Sequence, residues 1–194
     1  MRTPPSFSSI ILERDGVYPV SEDTRLLARS IGISPGERML EVGCGTGYVS
    51  LCAVSRGALV TGVDISEDAV ALSQENARRN GMHATFHQSD MFDAVSGKFD
   101  VIACNPPYLP SESFKSTDYD RCWDGGAGGR SFTDRFIDGV DHVVAPGGRI
   151  YLLQSSLCDP YRSITRLIEH GYNVAITGCT KLFFEQLCVL RARE

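Results

Sequence analysis

Apolar residues occur along the chain in two alternating patterns: short runs, and longer stretches in which they recur every three or four positions. The short runs are bounded by glycine, proline or acidic residues, which is typical of buried strands, and the longer stretches predict helices. Strands are predicted at 38–42, 59–63, 85–88, 99–104 and 149–154, before a closing hairpin of 172–177 and 183–191. Because strands and helices alternate, we expect an α/β fold, a doubly wound sheet with helices on both faces.

Capping signals predict where several helices begin. Ser21 is a predicted N-cap, followed by acids that suit the positive end of a helix dipole, and Asp159 marks another helix start. Ser131 and Asp134 have the spacing of a capping box. The helix that they begin is predicted to present one apolar face before a turn at Pro146-Gly147-Gly148; this face comprises Phe132, Phe136, Val140, Val143 and Val144.

Polar residues or glycines stand where four of the predicted strands end. They are Glu41 and Gly43 after the first strand, Asp64 after the second, Asp90 after the third and Asn105 after the fourth. In a doubly wound sheet, ligands bind in the crevice at the carboxyl ends of the strands. The sequence therefore predicts a ligand site at this rim.

The first strand leads into a glycine-rich loop, Glu41-Val42-Gly43-Cys44-Gly45-Thr46-Gly47. A dinucleotide site requires GxGxxG and helix amides free to hold a pyrophosphate. A carboxylate beside the loop suits an ammonium or sulfonium group better than a phosphate. Asp64 suits a ribose diol, and Asp90 an adenine amine, although a helix cap is the alternative for Asp90. A ligand with ribose, adenine and an amine but no phosphate is S-adenosylmethionine.

The fourth strand ends in Asn105-Pro106-Pro107-Tyr108. Two consecutive prolines fix the backbone and end the strand. The Asn105 side-chain oxygen and the Pro106 carbonyl can both accept hydrogen bonds from one NH2 group, while Tyr108 supplies a flat face. This tetrapeptide is predicted to hold a planar amino group; an ordinary proline loop is the alternative.

Composition and charge narrow the range of functions. The 194 residues fit one domain, 1–194, with a polar lead at 1–20 and a long irregular stretch at 109–130 that we interpret as an active-site or target loop. The net charge of −5 disfavours a large nucleic-acid footprint. Seven cysteines without a CxxC pair indicate reduced thiols in a cytoplasmic protein and no metal site. No apolar stretch approaches 18 residues, so no membrane segment is expected.

These motifs together resemble the class I methyltransferases, and more narrowly the HemK-like glutamine methyltransferases of translation release factors. Three segments match the short eukaryotic and archaeal branch of that family. They are Val17-Tyr18-Pro19 with Glu22-Asp23-Thr24, then 105–108, then Trp123-Asp124-Gly125-Gly126 with Gly129-Arg130 and Asp134-Arg135-Phe136. The resemblance implies a Rossmann-like, seven-stranded, mostly parallel sheet in the order 3-2-1-4-5-7-6, with the last strand antiparallel.

The resemblance also implies roles for individual residues. The residues expected to contact S-adenosylmethionine or line its pocket are Tyr18, Thr24, Glu41, Gly43, Gly45, Asp64, Ile65, Asp90, Met91 and Asn105. Those expected to hold the acceptor are Asn105, Pro106, Pro107 and Tyr108. The implied acceptor is the glutamine of a release factor's Gly-Gly-Gln loop. The implied partner is a small zinc-binding activator subunit at the strand 85–88.

Other functions remain open at the level of sequence. Adenine N6 and other nucleobase amines fit the same tetrapeptide, so a nucleic-acid amino methyltransferase is the alternative. The stretch 109–130 is not basic, however, and this favours a protein substrate over nucleic acid. An NAD-dependent oxidoreductase is disfavoured by the loop spacing. A non-catalytic cofactor-binding module is disfavoured by the intact acceptor tetrapeptide.

Overall fold

A computed structural model of the chain describes residues 10–108 and 129–194. Seven strands form one sheet within these ranges. They are β1 (Arg38–Val42), β2 (Leu59–Asp64), β3 (Thr85–Gln88), β4 (Phe99–Cys104), β5 (Val144–Ser155), β6 (Asn173–Lys181) and β7 (Gln186–Arg193). The spatial order is β3-β2-β1-β4-β5-β7-β6. β7 runs antiparallel to both of its neighbours, whereas the other neighbouring strands pair in parallel. The predicted fold and strand order are confirmed.

Helices cover both faces of this sheet. They are α1 (Glu22–Ser30), α2 (Tyr48–Val54), α3 (Glu67–Arg79), α4 (Ser131–Gly139) and α5 (Pro160–Glu169), with short 3-10 turns at Val140–His142 and Ser156–Cys158. None of the helices in the described ranges has the length and apolar character needed to cross a membrane.

Alternate residues of the central strands point to opposite faces of the sheet and build two main cores. Leu40 and Ile102 pack beneath α4 and α5 with Phe136. Met39 and Val101 pack on the other face, beneath α1 and α2, in a cluster that includes Leu27. All six side chains are fully buried. The parallel strands are apolar on both faces because helices cover both.

The start of β5 differs from the prediction. Val143 ends the 3-10 turn: its amide donates to the Val140 carbonyl at 3.0 Å, and its own carbonyl accepts from the Phe99 amide at 2.8 Å. The next residue, Val144, pairs with Phe99 in the sheet. Gly147 and Gly148 lie within β5, where its pairing with β4 shifts register. They do not form the predicted turn before the strand. Pairing with β4 therefore overrides the helical spacing that Val143 and Val144 continue.

The predicted capping box at Ser131 is wrong. Arg130 is the N-cap of α4, and it makes no side-chain capping bond. Asp134 instead forms ion pairs with Arg130, Arg162 and Arg166, at 2.9, 2.9 and 3.0 Å. These arginines come from the start of α4 and from α5, so Asp134 joins the two helices.

The described part of the N-terminal lead is tied to α3. The Leu12 amide donates to Asn76 Oδ1 at 2.8 Å, and Asn76 Nδ2 donates back to the Leu12 carbonyl at 3.1 Å. Val17 is buried against Ala69 and Leu72 of α3. These contacts place Tyr18, just beyond Val17, at the carboxyl ends of the central strands.

Candidate functional site

A pocket lies at the carboxyl ends of β1, β2 and β4. The space between its lining atoms is about 930 Å³, including open solvent at its mouth. Predicted site residues that line it are Tyr18, Thr24, Glu41, Gly43, Gly45, Asp64, Asn105, Pro106, Pro107 and Tyr108. The structure thus brings together four segments that are far apart in sequence.

Three residues of the predicted cofactor set do not line this pocket. Asp90 forms an ion pair with Arg135 of α4, with both carboxylate oxygens at 3.2 Å from Nη2. Met91 is buried in the core beneath α4. Ile65 lies next to Asp64 but is exposed to solvent. Their predicted contact with a cofactor stays a prediction.

The glycine loop is shaped by positive backbone torsions. Gly43, Gly45 and Gly47 have φ values of 77°, 51° and 77°, a region that residues with a Cβ rarely adopt. The Gly43 amide donates to the Val63 carbonyl at 2.8 Å, which fastens the loop to the end of β2. Ser73 Oγ of α3 donates to the Gly45 carbonyl at 2.8 Å. The loop is therefore held from two sides while its pocket-facing edge stays open.

Glu41 lies at the floor of the pocket and is almost fully buried. Its Oε2 accepts from the Ser50 amide at 2.8 Å and from Ser50 Oγ at 2.5 Å. Burial raises the pKa of Glu41 to about 8; the Ser50 bonds oppose this rise and the nearby Asp64 adds to it. Both Ser50 donors share Oε2, which leaves Oε1 for a ligand.

Asp64 stands at the end of β2 with its carboxylate oriented by the backbone. Oδ2 accepts from the Gly45 amide at 3.0 Å, and Oδ1 accepts from the Ser66 amide at 2.9 Å. Burial raises the pKa of Asp64, and these backbone bonds counteract the rise. Each oxygen keeps a lone pair, so the two together can accept from a pair of adjacent hydroxyls.

Asn105 presents an unsatisfied acceptor at the pocket. Its Nδ2 donates to Asp23 Oδ2 at 3.2 Å. Its Oδ1 is buried and has no hydrogen-bond partner among the described residues. A buried oxygen left unpaired costs about 1–3 kcal/mol, so this atom is arranged for a donor that arrives with a ligand.

Sequence reasoning missed Asp23 as a site residue, because an acid in the first turn of a helix is explained by the helix dipole alone. The structure buries Asp23 to 2% exposure. Tyr18 Oη donates to its Oδ2 at 2.5 Å. Burial and the Asp23 carboxylate raise the pKa of Tyr18 well above its ordinary value, so the phenol keeps its proton. Local sequence patterns do not predict that Asp23 is buried next to the Tyr18 hydroxyl and the Asn105 amide.

Tyr108 lies half-buried at the rim, and its backbone is fixed by neighbours. Cys158 Sγ donates to the Tyr108 carbonyl at 2.7 Å. A Cβ at Gly129 would lie 2.4 Å from the same carbonyl oxygen. Of the predicted target loop at 109–130, only Gly129 and Arg130 are among the described residues, and Gly129 lies against Tyr108, the residue before the loop. Arg130, its last residue, is buried and donates to the Cys158 and Asp159 carbonyls.

Apolar side chains complete the pocket wall. The sequence placed Phe132 on a core-facing helical surface, and the structure puts it half-buried at the pocket. Val49 and Ala69, buried at the starts of α2 and α3, contribute further apolar surface. In the described ranges, no cluster of three or more histidine, cysteine or acidic residues has the arrangement of a metal site. The pocket therefore combines a polar floor with a flat, apolar flank.

Known methyltransferases match this chain in sequence. The family model described as methyltransferase small domain matches residues 10–121. A Methanocaldococcus jannaschii protein, provisionally named a protein N5-glutamine methyltransferase, is 41% identical over 179 residues, which cover 91% of each chain. Methyltransferase HEMK2 of Mus musculus is 32% identical over 189 residues, covering 90% of this chain and 88% of the mouse protein.

A solved structure gives a similar result. The E. cuniculi Mtq2–Trm112 complex, described as responsible for methylation of the eRF1 translation termination factor, matches with a TM-score of 0.76 and 26% identity. The match covers 92% of this chain and 99% of that chain.

Proposed function

The chain belongs to the methyltransferase small domain family, and we propose that it transfers the methyl group of S-adenosylmethionine to the side-chain amide nitrogen of a glutamine in a translation release factor. The observation that carries this proposal is the buried Oδ1 of Asn105, a residue that lines the pocket, because this oxygen has no hydrogen-bond partner within the part of the chain that the structure describes. A primary amide supplies the N–H donor that this oxygen lacks. The name of the M. jannaschii relative supports a protein glutamine as that amide. The E. cuniculi complex, described as responsible for methylation of eRF1, supports a termination factor as the protein.

The polar floor of the pocket fits the proposed cofactor. Glu41 Oε1 is left over from the Ser50 bonds, and in the ionised form of Glu41 it can accept from the cofactor's hydroxyl or amino groups. The oriented carboxylate of Asp64 suits the ribose diol. Bound there, S-adenosylmethionine supplies an electrophilic methyl group. No cationic side chain lines the pocket within the described ranges, which fits a ligand without phosphate.

The residues that hold the substrate amide can increase its weak nucleophilicity. Its nitrogen lone pair is delocalised into the carbonyl group. When Asn105 Oδ1 and the Pro106 carbonyl accept the two N–H bonds, they raise electron density on nitrogen and aim its lone pair along the transfer direction. Tyr108 packs against the amide plane. Positioning of this kind supplies much of the rate of a group transfer, and the extra proton leaves the product afterwards.

The test is methyl transfer from labelled S-adenosylmethionine to a release factor, compared with the same factor carrying Gln→Asn in its Gly-Gly-Gln loop. DNA and RNA serve as parallel acceptors. Label on the unaltered loop alone supports the proposal. Label on nucleic acid alone overturns it in favour of a nucleobase amino methyltransferase.

Asn105→Ala tests the acceptor residue directly. Turnover is expected to be lost, because the substrate amide keeps only the Pro106 carbonyl of its two acceptors and is no longer oriented. The dissociation constant for the cofactor is expected to change by no more than a few-fold. Calorimetry on the variant measures the second quantity. Loss of cofactor binding together with turnover would instead assign Asn105 a role in folding.

We further propose that a small zinc-binding activator subunit docks on β3. This strand is the edge of the sheet and pairs with β2 alone among the described residues, and an open edge offers backbone groups to a partner. The E. cuniculi relative is a two-protein complex. Methyl transfer measured with increasing amounts of such a subunit is expected to rise. A lone chain that is stable and fully active would count against the partner.

A further inference from the structure

Asp23 is buried between the acceptor residue Asn105 and the N-terminal segment, where α1 begins. Two donors approach each carboxylate oxygen. Oδ1 accepts from the Thr24 amide at 2.5 Å and from Thr24 Oγ1 at 3.1 Å. Oδ2 accepts from Tyr18 Oη at 2.5 Å and from Asn105 Nδ2 at 3.2 Å.

These four bonds occupy the carboxylate fully. An ionised carboxylate has about four lone-pair sites, and here each is matched by a donor of the protein. Asp23 therefore has no acceptor left for the amino group of a cofactor, although it lies at the pocket wall. Any influence that it has on the reaction acts through the side chains that donate to it.

We propose that Asp23 is a positioning residue for methyl transfer, which holds the Asn105 carboxamide with its oxygen towards the substrate nitrogen. The two ends of a carboxamide have almost the same shape, so packing alone distinguishes them poorly. The Asp23 carboxylate distinguishes them by charge. With the amide reversed, Asn105 Oδ1 would face Asp23 Oδ2, and two acceptors 3.2 Å apart repel each other.

The orientation matters because the substrate is itself a donor. Asn105 Oδ1 can accept from a substrate NH2 group, whereas a reversed Asn105 would present its own NH2 to that group. The Asp23 charge also polarises the Asn105 amide and strengthens Oδ1 as an acceptor. Tyr18 fixes the second lone pair of Oδ2, so the carboxylate keeps its place when the pocket is empty.

The proposal rests on the proposed function, because it requires a substrate with a planar NH2 group. Asp23→Asn tests it with little change in shape. The two Thr24 donors keep the oxygen of the new carboxamide on their side, so its NH2 faces Asn105. Asn105 must then reverse, and the pocket loses Asn105 Oδ1 as an acceptor, so only the Pro106 carbonyl is left to orient the substrate amide. We expect kcat to fall about 100-fold. The cofactor dissociation constant is expected to change by no more than about threefold, which corresponds to much less binding free energy than a tenfold change.

Glu22→Gln is the matched control. It makes the same change of charge in the same first turn of α1, but at an exposed position. We expect kcat and the cofactor dissociation constant of this variant to equal those of the unaltered protein. Urea unfolding of both variants checks that the fold is retained.

A second measurement follows the orientation itself. In ¹H–¹⁵N spectra of the asparagine-labelled protein, the Asn105 side-chain signal, identified by its absence in Asn105→Ala, is expected to shift in Asp23→Asn and to keep its position in Glu22→Gln. An unshifted signal with normal kcat would overturn the proposal, and so would weakened cofactor binding with kcat unchanged. If the unaltered protein labels no release factor, the proposed function fails, and the spectra alone decide the orientation.

Discussion

Among single residues, Glu41 links proton binding to folding. Its pKa lies near 8 in the folded chain, against 4.5 as the ordinary value, because burial disfavours the charged form. Between these two pH values the folded protein holds a proton that the unfolded chain has released. Stability from this residue is therefore complete below about pH 4.5 and is lost as the pH rises through 8.

We expect the free energy of unfolding of the ligand-free protein to decrease between pH 6 and pH 8.5, and Glu41→Gln to remove part of that decrease. The glutamine keeps the shape but cannot ionise. Urea unfolding at several pH values, each fitted with the same m-value, measures the difference between the two proteins. Equal pH slopes would show that Glu41 is ionised in the folded state across this range.

Gly129 lies against the Tyr108 backbone and leaves no room there for a side chain. It has φ of 70°, and a Cβ there would lie 2.4 Å from the Tyr108 carbonyl oxygen. Gly129→Ala is therefore expected to displace the Tyr108 backbone and lower kcat at least about tenfold, since small displacements at a reacting centre cost up to about 100-fold.

Gly147→Ala is the control for Gly129→Ala. Gly147 has the same φ of 70°, but nothing lies within 4 Å of its Cβ position. Both variants carry the backbone strain of about 1–2 kcal/mol that a positive φ imposes on alanine, and only Gly129→Ala disturbs Tyr108. A similar loss of kcat in both would assign the effect to strain rather than to the contact.

At the scale of elements, α3 holds together two segments that form the pocket wall. Asn76, fully buried on this helix, binds the Leu12 backbone in both directions and also donates to the Thr46 carbonyl at 2.9 Å. The N-terminal segment and the glycine loop thus meet on one side chain. No local sequence pattern shows that an asparagine on the buried face of α3 joins two distant segments.

Asn76→Ala is expected to lower the free energy of unfolding by about 2–4 kcal/mol, because it leaves buried backbone groups of both segments unpaired. It should also speed hydrogen exchange at the Leu12 amide. Asn80→Ala, one turn along, removes bonds to the Ile10 and Asn76 carbonyls at a partly exposed position and is expected to cost less than about 1 kcal/mol. If urea unfolding showed equal losses of unfolding free energy in the two variants, Asn76 would have no specific role in joining the two segments.

For the whole molecule, the sequence predicted the sheet and much of the pocket, since strand ends in a doubly wound fold must share one rim. The observed bounds of β1, β3 and β4 coincide with the predicted ones. Prediction from the sequence failed where pairing between distant residues decides the local structure. Val143 and Val144 follow a helical spacing, yet Val144 pairs with Phe99 of β4 and begins β5. Asn105 and Asp23 are 82 residues apart, and only folding places the donor beside the acid.

Because the pocket wall is assembled from such distant segments, ligand binding should stabilise the whole fold and not one part of it. The lining runs from Gly16 to Phe132 and includes the loop after β1 and the end of β4. At a free S-adenosylmethionine concentration of 100 times the dissociation constant, we expect the free energy of unfolding to rise by about 2.7 kcal/mol with an unchanged m-value. NAD at the same concentration is the comparison, and we expect no rise with it. The absence of a shift with S-adenosylmethionine would refute the proposed cofactor, whereas an equal shift with NAD would favour a dinucleotide enzyme, whose pyrophosphate this acidic floor is poorly suited to hold.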